Sequence, residues 1–393
     1  MKIFILLSRF PYPLEKGDKL RAFHQVKQLA EKNDIFLFAM AEETLSQEMM
    51  NPLKPYCRSI KIVRLSRVHI FINLLRSLFL RLPFQVGYFF SPSLKNTVAE
   101  AVGKLKPDII YCQLIRTSEY VRDIPSVPRV IDYMDAFSKG VERRMRKANI
   151  FLRPFFYMEY KRLLKYEQEV FDRFDAKVII SEQDRLHIPC RARDTIEVIP
   201  NGVDTSYFTP VKQDKDYDIL FSGNMSYPPN VDSALYLVRE IFPLLRKKNP
   251  DIRILIAGAD PAPAVRALQS KNIHITGWLE DIRTAYARSR MLVAPMNMSI
   301  GMQNKILQAM SMELPCITSS LAANAIKGAP LIVAAGAQEY AVQIVRLLEN
   351  PGEAASFGKK GRDFVLKNYS WKRRVTELES VFTRTLKEAK GRW

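Results

Sequence analysis

Short apolar runs alternate with helix-length amphipathic segments along the first half of the chain. The run KIFILLS is followed by a polar loop, a helical pattern from Lys19 to Lys32 and a second run, IFLFAMA, which predicts strand, helix, strand. Further apolar runs, separated by helical stretches, are SIKIVRL, DIIYCQ, RVIDYM and AKVIIS. This alternation predicts an α/β domain built on a parallel sheet.

The same pattern begins again in the second half, after IPNGVDTSYFTP and a polar tract from Val211 to Asp216. Its apolar runs are YDILFSG, IRILIAG, IHITG, MLVAPM, PCITS and LIVAA, which predict a second doubly wound sheet. A chain of 393 residues, of which 47% are hydrophobic, has enough apolar material for two cores. We therefore predict one domain over residues 1–205, a second over 206–372 and an amphipathic helix over 373–393.

The net charge of +19 favours an anionic partner: a polyanion, an anionic membrane surface or an anionic small substrate. Two basic, aromatic segments, Val68 to Phe90 and Lys139 to Lys165, have the composition of interfacial amphipathic helices. In the first segment we expect four residues to face a membrane: Phe71, Arg76, Phe79 and Arg81. The alternative is that the apolar residues are core and the arginines form a solvated rim.

The cysteine and hydropathy patterns bear on the cellular compartment. The four cysteines have neither CxxC spacing nor metal-ligand spacing with the histidines, so we expect reduced thiols. The apolar run Ile3 to Leu7 is too short for the core of a signal peptide. No apolar stretch reaches the roughly 18 residues that a spanning helix needs. These features together predict a cytoplasmic protein.

Neither GxGxxG nor GxxxxGK(S/T) follows any predicted strand, which argues against a dinucleotide fold or a P-loop NTPase. Several other motifs do occur in a characteristic order. The motifs are IPNGVDTSYFTP, LFSG, GWLEDIRTAYARSRMLVAPM, the loop and helix GMQNKILQAM, and NYSW. In this order they resemble the GT-B glycosyltransferases of family 4, also called group 1. With the PYP..KGDK.R..H pattern of Pro11 to His24, the chain looks most like the sugar transferases of bacterial exopolysaccharide clusters.

The resemblance implies a GT-B fold, in which two Rossmann-like doubly wound domains face a cleft and the C-terminal helix packs back on the N-terminal domain. It implies a UDP- or GDP-linked sugar as substrate, transfer with retention of anomeric configuration, and no cofactor. The family mechanism needs no metal, and this chain has no DxD motif in a suitable loop.

The resemblance also implies positive charge at the leaving diphosphate. In the family an arginine and a lysine often supply it after the first strand of the C-terminal domain, but Asn224 and the segment YPPN stand there in this chain. We expect Lys305 to supply the charge as a catalytic residue, with Asn224 still lining the donor site. Lys19 and Arg21, beside Gly17, are further candidates for the same phosphates. For each basic residue the alternative is a role in surface solubility.

The family's two-glutamate signature falls on Ile300 and Gln308, where no acid is present. An amide oxygen at Gln308 can still accept hydrogen bonds from ribose hydroxyls. Contact with the donor sugar is then left to the loop that precedes the helix, formed by Gly301, Met302, Gln303 and Asn304. Alternatively, Gln303 and Asn304 only cap the helix. The base contact in the family lies near GWLED, which makes Leu279 the candidate, while Asp281 is a candidate helix cap.

Candidates for acceptor activation come from loops that follow strands of the N-terminal domain. We predict Asp135 as the carboxylate that takes a proton from the acceptor hydroxyl, with a helix-capping role as the alternative. Asp132 is expected to be buried at the strand end. Arg116 is expected on the acceptor side, supporting phosphates. His24 is a further acceptor-side candidate, for which packing is the alternative.

The combined hypothesis is a retaining hexosyltransferase-type enzyme. It would move a sugar to a lipid-linked or oligosaccharide acceptor, peripherally on the inner face of the bacterial inner membrane, in the synthesis of exopolysaccharide or another cell-surface polysaccharide. No nucleic-acid partner is expected. Two alternatives stay open: a GT-B-like protein without transfer activity, such as an epimerase-like enzyme or a partner subunit, and a basic nucleic-acid-binding module.

Overall fold

The computed structural model describes residues 1–14, 16–297 and 302–391. The chain forms two compact units. Unit 1 comprises Met1–Pro200 and Arg374–Trp393, and unit 2 comprises Asn201–Arg373. These divisions lie close to the predicted boundaries at residues 205 and 372.

Unit 1 contains a parallel sheet, ordered β3-β2-β1-β4-β5-β6-β7 over the described residues. Its strands are β1 (Lys2–Leu7), β2 (Asp34–Ala41), β3 (Ser59–Arg64), β4 (Ile109–Gln113), β5 (Arg129–Asp132), β6 (Ala176–Ile179) and β7 (Glu197–Val198). Its helices before the crossing to unit 2 are α1 (Gly17–Leu29), α2 (Gln47–Met50), α3 (Arg67–Leu80), α4 (Phe84–Gly87), α5 (Pro92–Leu105), α6 (Phe137–Lys147), α7 (Arg153–Arg173) and α8 (Glu182–Arg185). Short 3₁₀ turns lie at Lys54–Tyr56, Ile115–Val121 and Arg193–Thr195.

The central strand β1 shows why the apolar runs form this sheet. Successive side chains point to opposite faces, so Phe4 and Leu6 enter one hydrophobic core while Ile3 and Ile5 enter the other. A strand buried on both faces needs the continuous apolar run seen in the sequence. All the strands predicted in this half are present. Only the two-residue strand β7 was missed, because it is too short to show a pattern.

Unit 2 contains a parallel sheet ordered β10-β9-β8-β11-β12-β13 in the part of the chain described. Its strands are β8 (Tyr217–Ser222), β9 (Ile254–Ala257), β10 (Ile273–Ile275), β11 (Ser289–Ala294), β12 (Cys316–Thr318) and β13 (Ile332–Val333). Its helices are α9 (Pro228–Tyr236), α10 (Phe242–Arg246), α11 (Pro263–Arg266), α12 (Arg283–Ala287), α13 (Asn304–Ser311), α14 (Ser320–Ala323), α15 (Gly336–Glu349) and α16 (Pro351–Asn368), with a π-helical turn at Leu237–Ile241. Every strand predicted in this half is observed.

The last helix, α17 (Trp371–Lys390), carries its apolar face into unit 1. Val375, Leu378 and Phe382 belong to the same core as β1, and the Phe382 ring lies 5.4 Å from that of Tyr111, measured between centroids. The C-terminal helix, predicted to pack on the N-terminal domain, thus contributes to the core of unit 1. The four cysteines are free, also as predicted.

Candidate functional site

The carboxyl end of the central strand β8 forms a tight loop in unit 2. Gly223, at its start, has φ +148°, and a Cβ there would lie 2.7 Å from Asn230 Nδ2 and 3.2 Å from Lys305 Nζ. Gly258, at the end of β9, packs so closely that its Cβ would lie 1.8 Å from the carbonyl oxygen of Gly223. Glycine is therefore required at both positions, since any side chain would push the loop away from Lys305.

Lys305 is a buried cation in the first turn of α13, with only 7% of its surface exposed. Its Nζ donates to Asn230 Oδ1 at 2.6 Å and lies 4.4 Å from the centroid of the Phe221 ring. Among the described residues no carboxylate forms an ion pair with Lys305, and burial lowers its pKa to about 7. A buried ammonium with only neutral contacts is stabilised by any anion that reaches it.

Asn224 shapes this loop with its side chain. Its Oδ1 accepts hydrogen bonds from the backbone N and hydroxyl of Ser226, at 2.9 and 2.6 Å. Its backbone carbonyl accepts from Asn230 Nδ2 at 2.8 Å. Asn224 thus fixes the loop and, through it, the Asn230 amide that holds Lys305.

Gln308 lies at the end of a chain of hydrogen bonds that sequence reasoning missed. Its Oε1 accepts from the Tyr286 hydroxyl at 2.9 Å, and that hydroxyl lies 2.8 Å from Ser222 Oγ. Burial raises the pKa of the Tyr286 hydroxyl, so it remains protonated and can donate. A carbonyl oxygen has a second lone pair, so contact between Gln308 and ribose stays a prediction.

The loop before α13 is described from Met302 onwards, and Ile300 and Gly301 lie outside the described residues. Met302 packs against the core of unit 2. The side chain of Gln303, the residue before the helix, makes no capping hydrogen bond. Asn304 Oδ1 is buried and has no hydrogen-bond partner among the described residues. The alternative that these two amides cap the helix is therefore wrong for this conformation, and an unpaired buried oxygen favours a donor from a ligand.

The GWLED segment approaches the same sheet from β10. Leu279 is half-buried against the core of unit 2. Asp281 accepts from the backbone N of Arg283, at the start of α12, at 2.9 Å and pairs with its guanidinium at 2.6 Å. Asp281 also accepts from the Tyr207 hydroxyl at 3.0 Å. The cap residue of α12 is Ile282, so Asp281 is not the predicted N-cap; it holds Arg283 and Tyr207 from the residue before the cap.

In unit 1, two strained residues follow adjacent strands. Leu114, after β4, has φ 66° and ψ 145°, and Met134, after β5, has φ 60°. Neither residue is glycine, so each costs on the order of 1–3 kcal/mol that the surrounding structure must offset. The two side chains pack together in one small cluster with Ile180. Such strain concentrates at functional sites, and the sequence carried no signal of it.

Asp135 follows Met134 directly. Its side chain is exposed, yet crowding by protein atoms and the negative charges of Asp184 and Asp132 raise the pKa of its carboxyl to about 7. The cap residue of α6 is Ala136, and within the described part of the chain the Asp135 carboxylate makes no hydrogen bond. The capping alternative is therefore not what this structure shows. A carboxyl that titrates near neutral pH suits a general base.

Asp132 is fully buried at the end of β5, as predicted. It accepts from Arg21 Nε at 2.6 Å and from the Tyr111 hydroxyl at 2.8 Å. Arg21 has no exposed surface. The prediction that Arg21 contacts a bound diphosphate therefore disagrees with its position, because its guanidinium would have to leave a buried carboxylate.

The other candidates on α1 are placed as follows. Gly17 is the first residue of the helix, and a Cβ there would meet no atom within 4 Å, so no close approach requires glycine. Lys19 Nζ donates to the carbonyl of Tyr12 at 3.2 Å. His24 is buried against Phe23, with ring centroids 5.4 Å apart and perpendicular planes. The packing alternative for His24 thus describes its position in this structure.

Arg116, after β4, is held between two aromatic rings. Its guanidinium carbon lies 5.0 Å from the centroid of Phe89 and 5.0 Å from that of Phe137. One terminal nitrogen donates to Gln85 Oε1 at 3.1 Å. Burial and the positive charge of Arg9 lower its pKa to about 10, so it is still a cation at neutral pH.

Helix α3 presents its apolar residues to the outside. Phe71 is 63% exposed and Phe79 is 86% exposed, while the buried positions of the helix are Asn73 and Ser77. In the turn before α7, Phe151 is 87% exposed. The alternative that these residues belong to the core is therefore wrong for Phe71 and Phe79, whereas Phe89 of the same segment is buried in the core of unit 1. No helix of the described chain is long and apolar enough to cross a membrane.

Two parallel-sheet units with a C-terminal helix that returns to the first are the features of the GT-B class, and comparison with solved structures agrees. Anabaena HepE in complex with UDP aligns with a TM-score of 0.69 at 14% identity, covering 98% of this chain and 100% of that one. Sucrose-phosphate synthase from Thermosynechococcus elongatus aligns with a TM-score of 0.68 at 15% identity, covering 98% and 99%. The fold is GT-B, as the motifs implied.

The sequence comparisons match one part of the chain to a family model and the whole chain to a distant relative. Residues 216–350, within unit 2, match the family model described as Glycosyl transferases group 1. An uncharacterised protein of the cps region of Klebsiella pneumoniae is 20% identical over 95% of this chain and 97% of its own length. The chain therefore carries a group 1 glycosyltransferase domain in a GT-B fold.

Proposed function

We propose that this protein is a glycosyltransferase that moves a sugar from a nucleotide diphosphate sugar to a lipid-linked saccharide at a membrane surface, in polysaccharide synthesis. Unit 2 binds the donor, and unit 1 binds the acceptor. The donor is UDP- or GDP-linked, and the reaction retains anomeric configuration without a metal or cofactor. The relative from a cps region and the HepE complexes with UDP and with UDP and glucose support this direction.

The observation that carries the donor assignment is the unpaired charge of Lys305. As the bond between sugar and diphosphate breaks, negative charge grows on the leaving phosphate. Lys305 lies beside the loop after β8, where its contacts with described residues are all neutral, and burial lowers its pKa to about 7, so an anion beside it would stabilise its charged form. The buried oxygen of Asn304, which has no partner among the described residues, adds an acceptor for a sugar hydroxyl, and Gln308 adds one for ribose.

Asp135 carries the acceptor assignment. Its exposed carboxylate, with a pKa near neutrality, can take the proton of an acceptor hydroxyl as that oxygen bonds to the anomeric carbon and the bond to diphosphate breaks. The strained residues Leu114 and Met134 pack together directly after β4 and β5, next to Asp135. Attack from the face that the diphosphate leaves gives the retained configuration.

The membrane assignment rests on the reversed polarity of α3. Ser77 satisfies its hydroxyl within the helix by donating to the carbonyl of Asn73 at 2.7 Å, which lets small polar residues face inward. The outward apolar residues lie among arginines, including Arg76 and Arg81, which also are exposed. A surface of this composition fits an anionic lipid interface.

Binding and turnover of nucleotide sugars test the activity. The full chain would be titrated with UDP-glucose, UDP-galactose, GDP-mannose and their free nucleotides, and release of nucleotide would be followed with bacterial membrane extract as acceptor. We expect one donor to bind and to be consumed only when extract is present. If no nucleotide sugar binds and none is consumed, the enzyme assignment is wrong.

A further inference from the structure

The surroundings of Arg116 are arranged for an anion that the described residues do not supply. The guanidinium has a ring on each side, Phe89 and Phe137, and its one hydrogen bond within the described residues is to the neutral Gln85. Its Nε is buried and has no partner in the described part of the chain, where no carboxylate forms an ion pair with it either. A cation in this state keeps Nε and its second terminal nitrogen as donors for the oxygens of an anion.

Two further arginines contribute to the same positive field. Arg9 lies over the ring of Phe89 as well, 5.7 Å from its centroid, and is paired with Asp18 at 3.1 Å. The charges of Arg9 and Arg144 both lower the pKa of Arg116, while the carboxylates of Asp18 and Glu42 act in the opposite direction, although neither forms an ion pair with it among the described residues. A phosphate or diphosphate would offset the repulsion from the two arginines, since it carries the opposite charge and accepts several hydrogen bonds.

Helix α4 connects this arginine cluster to the exposed apolar surface. The Glu159 carboxylate accepts from the backbone N of Phe84 at 2.9 Å and of Gln85 at 3.3 Å, which fixes the start of α4. The Phe84 ring stacks on that of Phe155 at 5.1 Å, measured between centroids, and Phe155 belongs to the exposed apolar residues. Gln85, the next residue, holds Arg116. Two successive residues of α4 therefore contact the exposed apolar surface, through Phe84, and the Arg116 guanidinium, through Gln85.

We propose that Arg116, with Arg9 and Arg144, binds the phosphate or diphosphate that links the acceptor's saccharide to its lipid. The hydrocarbon chain then lies along the exposed residues of α3 and the start of α7. This inference rests on the proposed function, because it specifies the acceptor of that reaction. Asp135 is two residues from Phe137, the ring that supports Arg116, so the reacting hydroxyl of the acceptor lies close to its phosphate.

Equilibrium binding to the full-length protein tests this site, with farnesyl diphosphate, farnesol, inorganic pyrophosphate and UDP-glucose as probes. We expect farnesyl diphosphate to bind more tightly than farnesol or pyrophosphate alone. Arg116→Gln should weaken farnesyl diphosphate binding about tenfold and leave farnesol and UDP-glucose binding unchanged. Arg116→Lys, which keeps the charge but loses the fork, should weaken it less.

The matched control is Arg122→Gln, in which an exposed arginine paired with Glu119 at 3.6 Å is removed just beyond the same 3₁₀ turn. We expect it to bind all four probes like the wild type. If Arg116→Gln does not fold, the exposed Arg144→Gln should still weaken farnesyl diphosphate binding several-fold, and it leaves every described aromatic contact of Arg116 in place.

Three results would overturn the inference. The first is wild-type affinity for farnesyl diphosphate in Arg116→Gln, or in Arg144→Gln if the first variant does not fold. The second is an equal loss of UDP-glucose binding, which would assign Arg116 to the donor. The third is equal affinity for pyrophosphate and farnesyl diphosphate, which would remove the lipid. If the protein binds farnesyl diphosphate through Arg116 but no nucleotide sugar, the phosphate site stands and the proposed transferase activity is wrong.

Discussion

The buried charge of Lys305 predicts an unusual variant, one that gains stability while it loses function. Lys305→Met keeps the length and apolar character of the side chain and removes the ammonium. The wild-type group has a pKa of about 7 in place of 10.5, because burial disfavours its charged form. Each unit of pKa shift corresponds to about 1.4 kcal/mol, so the charged form is destabilised by about 5 kcal/mol in the folded protein.

The sign of the pH dependence follows from proton binding. Between the folded pKa near 7 and the unfolded value near 10.5, the unfolded chain holds more protons at this site, so its contribution to stability rises with pH. The penalty is greatest below pH 7. We expect Lys305→Met to be more stable than the wild type by about 5 kcal/mol at pH 6 and by about 2 kcal/mol at pH 9.

Urea unfolding of both proteins at pH 6, 7.5 and 9 measures this difference. The control is Lys359→Met, an exposed lysine on α16 in the same unit, for which no pH-dependent difference is expected. If Lys305→Met is no more stable than the wild type at pH 6, or if its advantage does not shrink towards pH 9, the buried lysine does not carry this penalty and the reasoning is refuted.

Donor binding gives the complementary measurement. A diphosphate beside Nζ raises the pKa of Lys305, so the wild type should take up a proton when a nucleotide sugar binds at pH 8. Calorimetry in buffers of different ionisation enthalpy detects that uptake, and Lys305→Met should show none. Lys305→Ala should lose about 2 to 4 kcal/mol of transition-state stabilisation in kcat/KM; near-normal kcat/KM would remove Lys305 from the site.

Three further predictions concern the other candidate residues. Gln308→Glu should keep or tighten nucleotide binding, because a carboxylate still accepts from Tyr286 and strengthens the bond to ribose; a collapse in the affinity measured by calorimetry would show that the amide has another role. Asp135→Asn should lower kcat by a factor of about 10² to 10⁴ with unchanged donor affinity. Wild-type activity should fall below about pH 7, where the Asp135 carboxyl becomes protonated. If Asp135→Asn keeps the wild-type pH profile, Asp135 is not the base. Replacing Phe71, Arg76, Phe79 and Arg81 with polar neutral residues should release the protein from anionic vesicles in a sedimentation assay without unfolding it. The same replacement at four exposed control residues of unit 2 should leave vesicle binding unchanged; these are Val342, Lys359, Lys360 and Leu366.

The sequence by itself determined the strands, the two units and the position of the last helix. Apolar runs such as KIFILL and YDILFS are typical of strands in a sheet covered on both faces, so their local pattern is sufficient to predict the strands. The motifs around Lys305 also identified its loop and helix correctly. These features depend on neighbouring residues along the chain, which is why they can be predicted without a structure.

Only the tertiary structure decided which charges are paired and which faces are exposed. Arg21 was predicted to reach a diphosphate, but the order of the strands brings Asp132 to it and buries both. The apolar residues of α3 suit a core as well as a surface, and the packing of Asn73 and Ser77 decided between the two. The aromatic neighbours of Arg116 come from the turn after α4 and from α6, and the neutral neighbours of Lys305 come from β8 and α9. Burial and charge pairing depend on residues far apart in sequence, and the pKa values that underlie the chemistry follow from both.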